Sequence, residues 1–457
     1  MREGQVFDVG EFVNHQGLGR IQILVLLLCA MIMVVDGYDV FVMGFVMQPI
    51  AQAFGVVPAQ IVPVIAGAGF GLAIGNFVVG PFADWLGRRT LLVASAVLFG
   101  LLTLAATKAE TVTQLMILRF FAGMFFASVT TNAIALTSEF APERLRGTLV
   151  TWMFIGYTFG AAAGGFVAAL LVQTYGWQAS FWVGGVTPLV MAVILIAFLP
   201  ESIRFYVEKK PRDPNIPVLL RRMDPTLVLT GKEQFVLHEA HSTGMPILAL
   251  FRDGRAATTA LLWLVYFLNL LVITVLGAFL PTFLRIFGGL APPQAAWMTS
   301  FYSISGIVAM LGFGRLIDIF GASRVLTATY IFAAVVVTGL GLVDLSSQWL
   351  YPMIFCTGAS VIAAQGGLNA LGASIYPTRM RATGVGWSFG VGRIGGIVGP
   401  LVGGMALGGH WTALPSFLIV SIPMLIAGIG TLLIGFSHAP PVEIAVPVKK
   451  GPTIGRN

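Results

Sequence analysis

The sequence predicts an all-α membrane protein with twelve transmembrane helices in two pseudo-symmetric six-helix bundles. Three observations predict it. Of 457 residues, 57% are hydrophobic and 10% charged, whereas soluble domains carry about 25% charged residues to keep their surfaces solvated, so most of this outer surface must face lipid. Twelve apolar runs are long enough to cross a hydrocarbon core, which takes about 20 residues of helix. Two motifs in the first half also recur in the second at an offset of 234 to 235 residues.

The elements follow in order. A polar amino-terminal tail, residues 1–20, precedes spans near 21–46, 58–80, 90–107, 113–138, 147–171 and 179–199, so residues 21–200 form the first bundle. The first apolar segment is too long for a cleaved leader and lacks a small-residue cleavage site, so it is expected to stay as an anchor. Residues 201–255 hold prolines, basic residues and little periodicity, and read as a linker. Spans near 256–284, 293–314, 325–343, 349–376, 383–405 and 413–436 make the second bundle, residues 256–436, and 437–457 form a tail. Of the 26 lysines and arginines, 22 fall on the side of the amino terminus, two on the other and two inside spans. That bias places both termini and the linker in the cytoplasm.

Composition also excludes function classes. Cys29 and Cys356 lie in apolar runs, which argues against a disulfide framework or a metal pair. His238 and His241 lack the spacing of a zinc site, so no metal is expected. The net charge of +7 is spread between spans rather than gathered in a stripe, so nucleic acid is not an expected partner. Gly67-x-Gly69-x-Gly71 sits inside an apolar span and no Gly-Lys-Ser/Thr loop is present, which removes nucleotide-driven pumping. No polar segment is large enough for a catalytic domain, so an enzyme is not expected and no cofactor is implied.

The repeat is carried by Gly80-Pro81-Phe82-Ala83-Asp84-Trp85-Leu86-Gly87-Arg88-Arg89 and its echo Gly314-Arg315-Leu316-Ile317-Asp318-Ile319-Phe320-Gly321-Ala322-Ser323-Arg324. Pro142-Glu143-Arg144-Leu145-Arg146 likewise matches Pro377-Thr378-Arg379-Met380-Arg381. Parallel halves related by an axis along the membrane normal are a carrier plan, with substrate held near the midplane between them.

These loops and the six-plus-six layout resemble the major facilitator superfamily. Within it, Asp36-Gly37-Tyr38-Asp39, Thr137-Ser138-Glu139-Phe140-Ala141-Pro142 and Arg381-Ala382-Thr383-Gly384-Val385-Gly386-Trp387, leading to Gly392-Arg393-Ile394-Gly395, are similar to the aromatic acid:proton symporters. The resemblance runs from about residue 20 to residue 436. It implies the major facilitator fold and proton-driven import of a benzoate-like acid, such as 4-hydroxybenzoate or protocatechuate, across a bacterial inner membrane by a functional monomer. It also implies that Asp84, Arg88 and Arg89 help hold one conformation by bridging helices. Gly80, Gly87, Asp318, Arg144 and Arg146 complete this gating set. Ala322-Ser323 stands where the first loop has Arg88-Arg89, which weakens the second loop as a lock. The alternative is a facilitator for another organic acid, a sugar or a drug, moved in either direction.

Charges inside the membrane are few, and each needs a partner or water. Asp36 and Asp39 are three apart, so both point to nearly one helix face, about 60 degrees apart. Arg119 enters from the outer side and lies about 9 Å deep by helix rise, within reach of either aspartate. The aspartates and Arg119 are expected to form a proton switch, since two carboxylates within one turn disfavour double ionisation. A static pair holding helices is the competing reading. Glu139 closes span four and is grouped with the proton-coupling residues, although it also reads as a gate or brace pairing with Arg88, Arg144 or Arg146. Arg393 lies about 15 Å into span eleven, where a planar, permanent cation suits a substrate carboxylate. Its competing partners are Asp36 and Asp39 across the halves, or helix-end carbonyls. Gln365 and Asn369, four apart on one face, together with Tyr266, Asn269, Trp152 and Tyr302, are expected to line the substrate site, with Tyr157 and Phe301 as further ring faces. Gly71 with Gly75, Gly156 with Gly160, and Gly395 with Gly399 predict close helix approach.

Overall fold

A backbone in hydrocarbon has no water to bond, so each crossing segment satisfies its N–H and C=O groups by coiling on itself. The computed structural model describes residues 6–79, 82–142, 145–229, 233–237, 250–252, 254–344, 347–376, 378–409 and 411–437. Gly80, Arg144, His238 and His241 lie outside these, as do the side chains of Asp84, Asp318, Arg379 and Arg381. Among the described residues, twelve helices are long and apolar enough to cross a membrane. Spans one to six are Arg20–Phe54, Val62–Val78, Arg88–Ala106, Val112–Phe140, Arg146–Tyr175 and Gln178–Phe198. Spans seven to twelve are Ala256–Gly288, Pro292–Phe320, Ala322–Leu342, Leu350–Ile375, Thr378–Gly408 and Ala413–Ser437. Several outrun their apolar runs: span one carries Pro49 and continues to Phe54, because a helix need not end where its side chains turn polar.

The repeat is visible in the packing. Span one lies on five, two on four and three on six; in the second half seven lies on eleven, eight on ten and nine on twelve. Glycines make the tightest of these contacts. A Cβ at Gly71, Gly75, Gly156, Gly160, Gly395 or Gly399 would collide with the carbonyl oxygens of Phe120, Met124, Ala30, Val34, Phe267 and Leu271 respectively. Without a hydrophobic drive between helices in lipid, such close backbone approach supplies the association. The turns before spans three and nine also match, Gly87 with φ 94° and Gly321 with φ 86°. The halves meet through span one on seven, five on eight and two on eleven, a set that a two-fold axis maps onto itself.

The linker is more ordered than its composition suggests. It forms helices Ile203–Lys209 and Asn215–Met223 and a strand, Gln234–Val236, that pairs in parallel with Val6–Asp8 of the amino-terminal tail. Ile203, Val207, Ile216, Leu219, Leu220 and Met223 are buried in one cluster with Ile21, Val25 and other residues of the first half. Tail and linker thus dock on that half, at what is here named the linker face. Leu250, by contrast, belongs to the other core cluster, which runs across both halves, and its carbonyl accepts from Thr259 Oγ1 of span seven at 2.8 Å.

Candidate functional site

Between the halves lies a chamber of about 210 Å³, walled by spans one, two, four and five on one side and seven, eight, ten and eleven on the other. One water needs about 10–15 Å³, so the space admits a small organic molecule. Asp36, Asp39, Arg119 and Arg393 all line it.

The first-half wall is ionic. Arg119 holds Asp39 with both ends of its guanidinium, Nη1 to Oδ1 at 2.5 Å and Nη2 to Oδ2 at 2.9 Å, and its carbon stands 5.7 Å from the Phe181 ring centre. This is the forked geometry that makes an arginine–carboxylate pair strong. Asp36, one turn earlier, does not share that arginine; it accepts from Thr130 Oγ1 of span four at 2.8 Å. Arg393 enters from the opposite wall, 5.3 Å from the Phe389 ring centre. It is electrostatically coupled to Asp36, yet among the described residues it forms no hydrogen bond and no ion pair.

The second-half wall is made of amides. Gln365 and Asn369 face the chamber, and each carbonyl end is engaged from behind by span seven: Asn269 Nδ2 donates to Gln365 Oε1 at 2.7 Å, and Tyr266 OH to Asn369 Oδ1 at 2.9 Å. Tyr266 and Asn269 are therefore a row behind the lining, both fully buried, rather than in it.

Other expected lining residues stand elsewhere. Trp152 is 51% exposed on the outside of span five, while Phe154, Tyr157, Thr158 and Ala161 of that helix face inward; at 100° per residue Trp152 falls on another side. Tyr302 is fully buried outside the lining, and its helix contributes Met310 instead. Phe301 packs on Phe355 at 5.6 Å. Glu139 is separated from the aspartates: nine residues beyond Thr130, about 13 Å of helix, it pairs with Arg88 Nε at 3.0 Å and accepts from Ser202 Oγ at the linker face.

Sequence reasoning missed several of these partners. Glu201 accepts from the backbone N–H groups of Arg89 and Ser202, each at 2.9 Å, and Arg89 donates a side-chain N–H to the Ile196 carbonyl, so the end of span six braces the start of span three. A carboxylate immediately after an apolar run was the available signal. Phe154 and Phe389 were also missed; their rings, 6.0 Å apart, bridge the halves on the linker side of Arg393. On the far side Ser300 Oγ donates to the Ala162 carbonyl at 3.0 Å and Phe166 meets Trp297 at 4.6 Å, joining the halves there.

The sequence matches the Major Facilitator Superfamily over residues 29–387 and 262–454. The chain belongs to the major facilitator superfamily. This facilitator is 35% identical over 438 residues to the 4-hydroxybenzoate transporter PcaK of Pseudomonas putida, covering 95% of this chain and 98% of that one. It is 34% identical to a gallate transporter of Pseudomonas putida, with 94% and 96% covered, and 31% identical to a benzoate transport protein of Acinetobacter baylyi, with 93% and 92% covered. Its fold overlays that of the xylose transporter XylE from E. coli, in a partially occluded inward open conformation, with a TM-score of 0.71 at 17% identity, covering 92% of this chain and 98% of that one. It is a multi-pass membrane transporter, not an enzyme.

Proposed function

We propose that this facilitator imports a small aromatic carboxylate together with a proton, exposing the chamber alternately to the two sides of a bacterial inner membrane. In this reading the linker face is cytoplasmic, as the lysine and arginine bias suggests. The observation that carries the proposal is Arg393: a permanent cation on the chamber wall with no ion-pair partner among the described residues. A charge held inside the membrane calls for a counter-charge, and a planar guanidinium suits a carboxylate bidentately. Phe389, Phe154 and Tyr157 around it offer ring faces to an aromatic acid. The relatives whose names include 4-hydroxybenzoate, gallate and benzoate support that class.

Proton coupling follows from charge balance. With both aspartates ionised, Asp36, Asp39, Arg119 and Arg393 sum to zero, and a bound carboxylate would leave the chamber one charge negative. A proton on Asp36 restores neutrality and releases Arg393 from its attraction to Asp36. The Thr130 hydroxyl donates to the ionised carboxylate and can accept from the protonated one, so Asp36 keeps its partner in both states. The bidentate Asp39–Arg119 pair stays closed meanwhile and holds the wall in shape.

Reconstituted in liposomes, the carrier should accumulate labelled benzoate or 4-hydroxybenzoate only under an inward proton gradient. Asp36→Asn should abolish accumulation while retaining exchange of internal for external substrate. Accumulation indifferent to the gradient would end the coupling claim.

A further inference from the structure

We infer that the Tyr157 hydroxyl is a donor for which Asp36 and the substrate carboxylate compete, so that protonating Asp36 hands it to the substrate. The inference rests on the symport reading and deepens it, by naming a contact through which the proton site and the carboxylate site sense one another.

Span five is pressed onto span one at this point. A Cβ on Gly37, the residue after Asp36, would collide with the Tyr157 carbonyl, so glycine there lets Tyr157 come alongside the aspartate. Phe41 at 6.2 Å and Phe154 at 6.5 Å, both edge-on, hold the ring. Tyr157, Asp36 and Arg393 line the chamber together, and Tyr157 interacts electrostatically with both of the others. The further charged and titratable groups around them are Asp39 of span one, Arg119 of span four and Tyr302 of span eight. The Tyr302 hydroxyl is shut away without a partner, whereas that of Tyr157 is not shielded and forms no hydrogen bond among the described residues.

The neighbours decide what this open hydroxyl can do. A guanidinium only donates, an ionised carboxylate only accepts, and a phenol gives one proton. While Asp36 is ionised, its charge draws the Tyr157 O–H. Once protonated, Asp36 is a neutral group satisfied by Thr130, and that draw is lost. Asp39 is no rival, since Arg119 holds both its oxygens. A substrate carboxylate on Arg393 then becomes the anion that attracts the hydroxyl, and hydrogen bonds to charged groups are the stronger ones. The proton thus releases a donor to the substrate as well as balancing its charge.

The test measures binding of labelled benzoate and 4-hydroxybenzoate to the purified carrier against pH, over the range in which the ligand carboxylate stays ionised. In the wild type, binding should be tightest at the acid end and weaken as pH rises through the titration of Asp36. Tyr157→Phe keeps the ring and loses the hydroxyl. It should weaken binding about ten-fold at the acid end and match the wild type at the alkaline end, where Asp36 already engages the hydroxyl. On an Asp36→Asn background the same substitution should cost about ten-fold at every pH. A Tyr157→Phe carrier that binds as the wild type does throughout overturns the inference. So does one weakened equally at both ends, which would make the hydroxyl a fixed partner of Arg393. If Tyr157→Phe is not recovered, Tyr157→Leu is read the same way, and a deficit that does not shrink with rising pH overturns the inference. A wild type that binds neither acid defeats the transport reading as well, whereas the other adverse results leave it standing.

Discussion

The two halves of this facilitator are built on the same helix pairings and carry different chemistry on their inner faces. In the first half the chamber meets Asp36, Asp39 and Arg119, a wall of fixed charge. In the second it meets Gln365 and Asn369, neutral amides bonded from behind by Asn269 and Tyr266, with Arg393 as the one cation described on that side. The scaffold is shared and the lining is not: in the proposed function, proton handling falls to the first half and recognition of the organic molecule to the second. The loops diverge in parallel. Gly87 and Gly321 hold the same turn, yet a Cβ on Gly87 would strike the Glu201 carboxylate, while one on Gly321 would meet nothing within 4 Å.

Three experiments sharpen or break this division. The largest effect is expected at the ionic wall. Asp39→Ala strands Arg119, whose side chain is 3% exposed, and leaving a buried charge unpaired costs about 3–5 kcal/mol. Thermal unfolding of the purified carrier should show a marked loss, and adding Arg119→Leu should recover much of it. Wild-type unfolding of the single variant would mean that the pair holds nothing together. Next comes Arg393→Gln, which should raise the substrate KM roughly 100-fold with stability little changed, since losing one partner of a charge pair costs about 2–5 kcal/mol. An ordinary KM would move the carboxylate site out of the second half. The smallest effect separates the loops. Gly87→Ala and Gly321→Ala each force a side chain into backbone angles that cost about 1–3 kcal/mol, and only the first must also displace Glu201. Gly87→Ala should therefore unfold at the lower temperature, and equal losses would erase the contrast.

How much of this could be read beforehand depended on the kind of signal. The spans and the repeat were legible because hydrocarbon imposes length and apolarity on any crossing segment. Ionisable groups inside spans were legible for the same reason: each stands out against lipid, and Asp39 and Arg119 were placed at compatible depths by helix rise alone. The rotation of each helix was not. Lipid tails are as apolar as a packed interior, so a membrane helix shows little contrast between its outer and inner faces, and Trp152 looked as suitable as Tyr157. The same blindness put Tyr266 and Asn269 in the lining, when each sits one layer behind an amide. Pairing of the tail with the linker left no local mark either, because three-residue strands far apart in sequence show too little alternation to register.

That small sheet also determines where the two halves are joined. The linker helices and the strand that ends at Val236 dock on the first, and the Leu250 carbonyl is already bonded to Thr259 of the second. From Leu237 to Leu250 the polypeptide can reach at most about 45 Å when fully drawn out. Two separately expressed polypeptides, divided there, would each carry a finished bundle and would have to find one another through the shared interface alone.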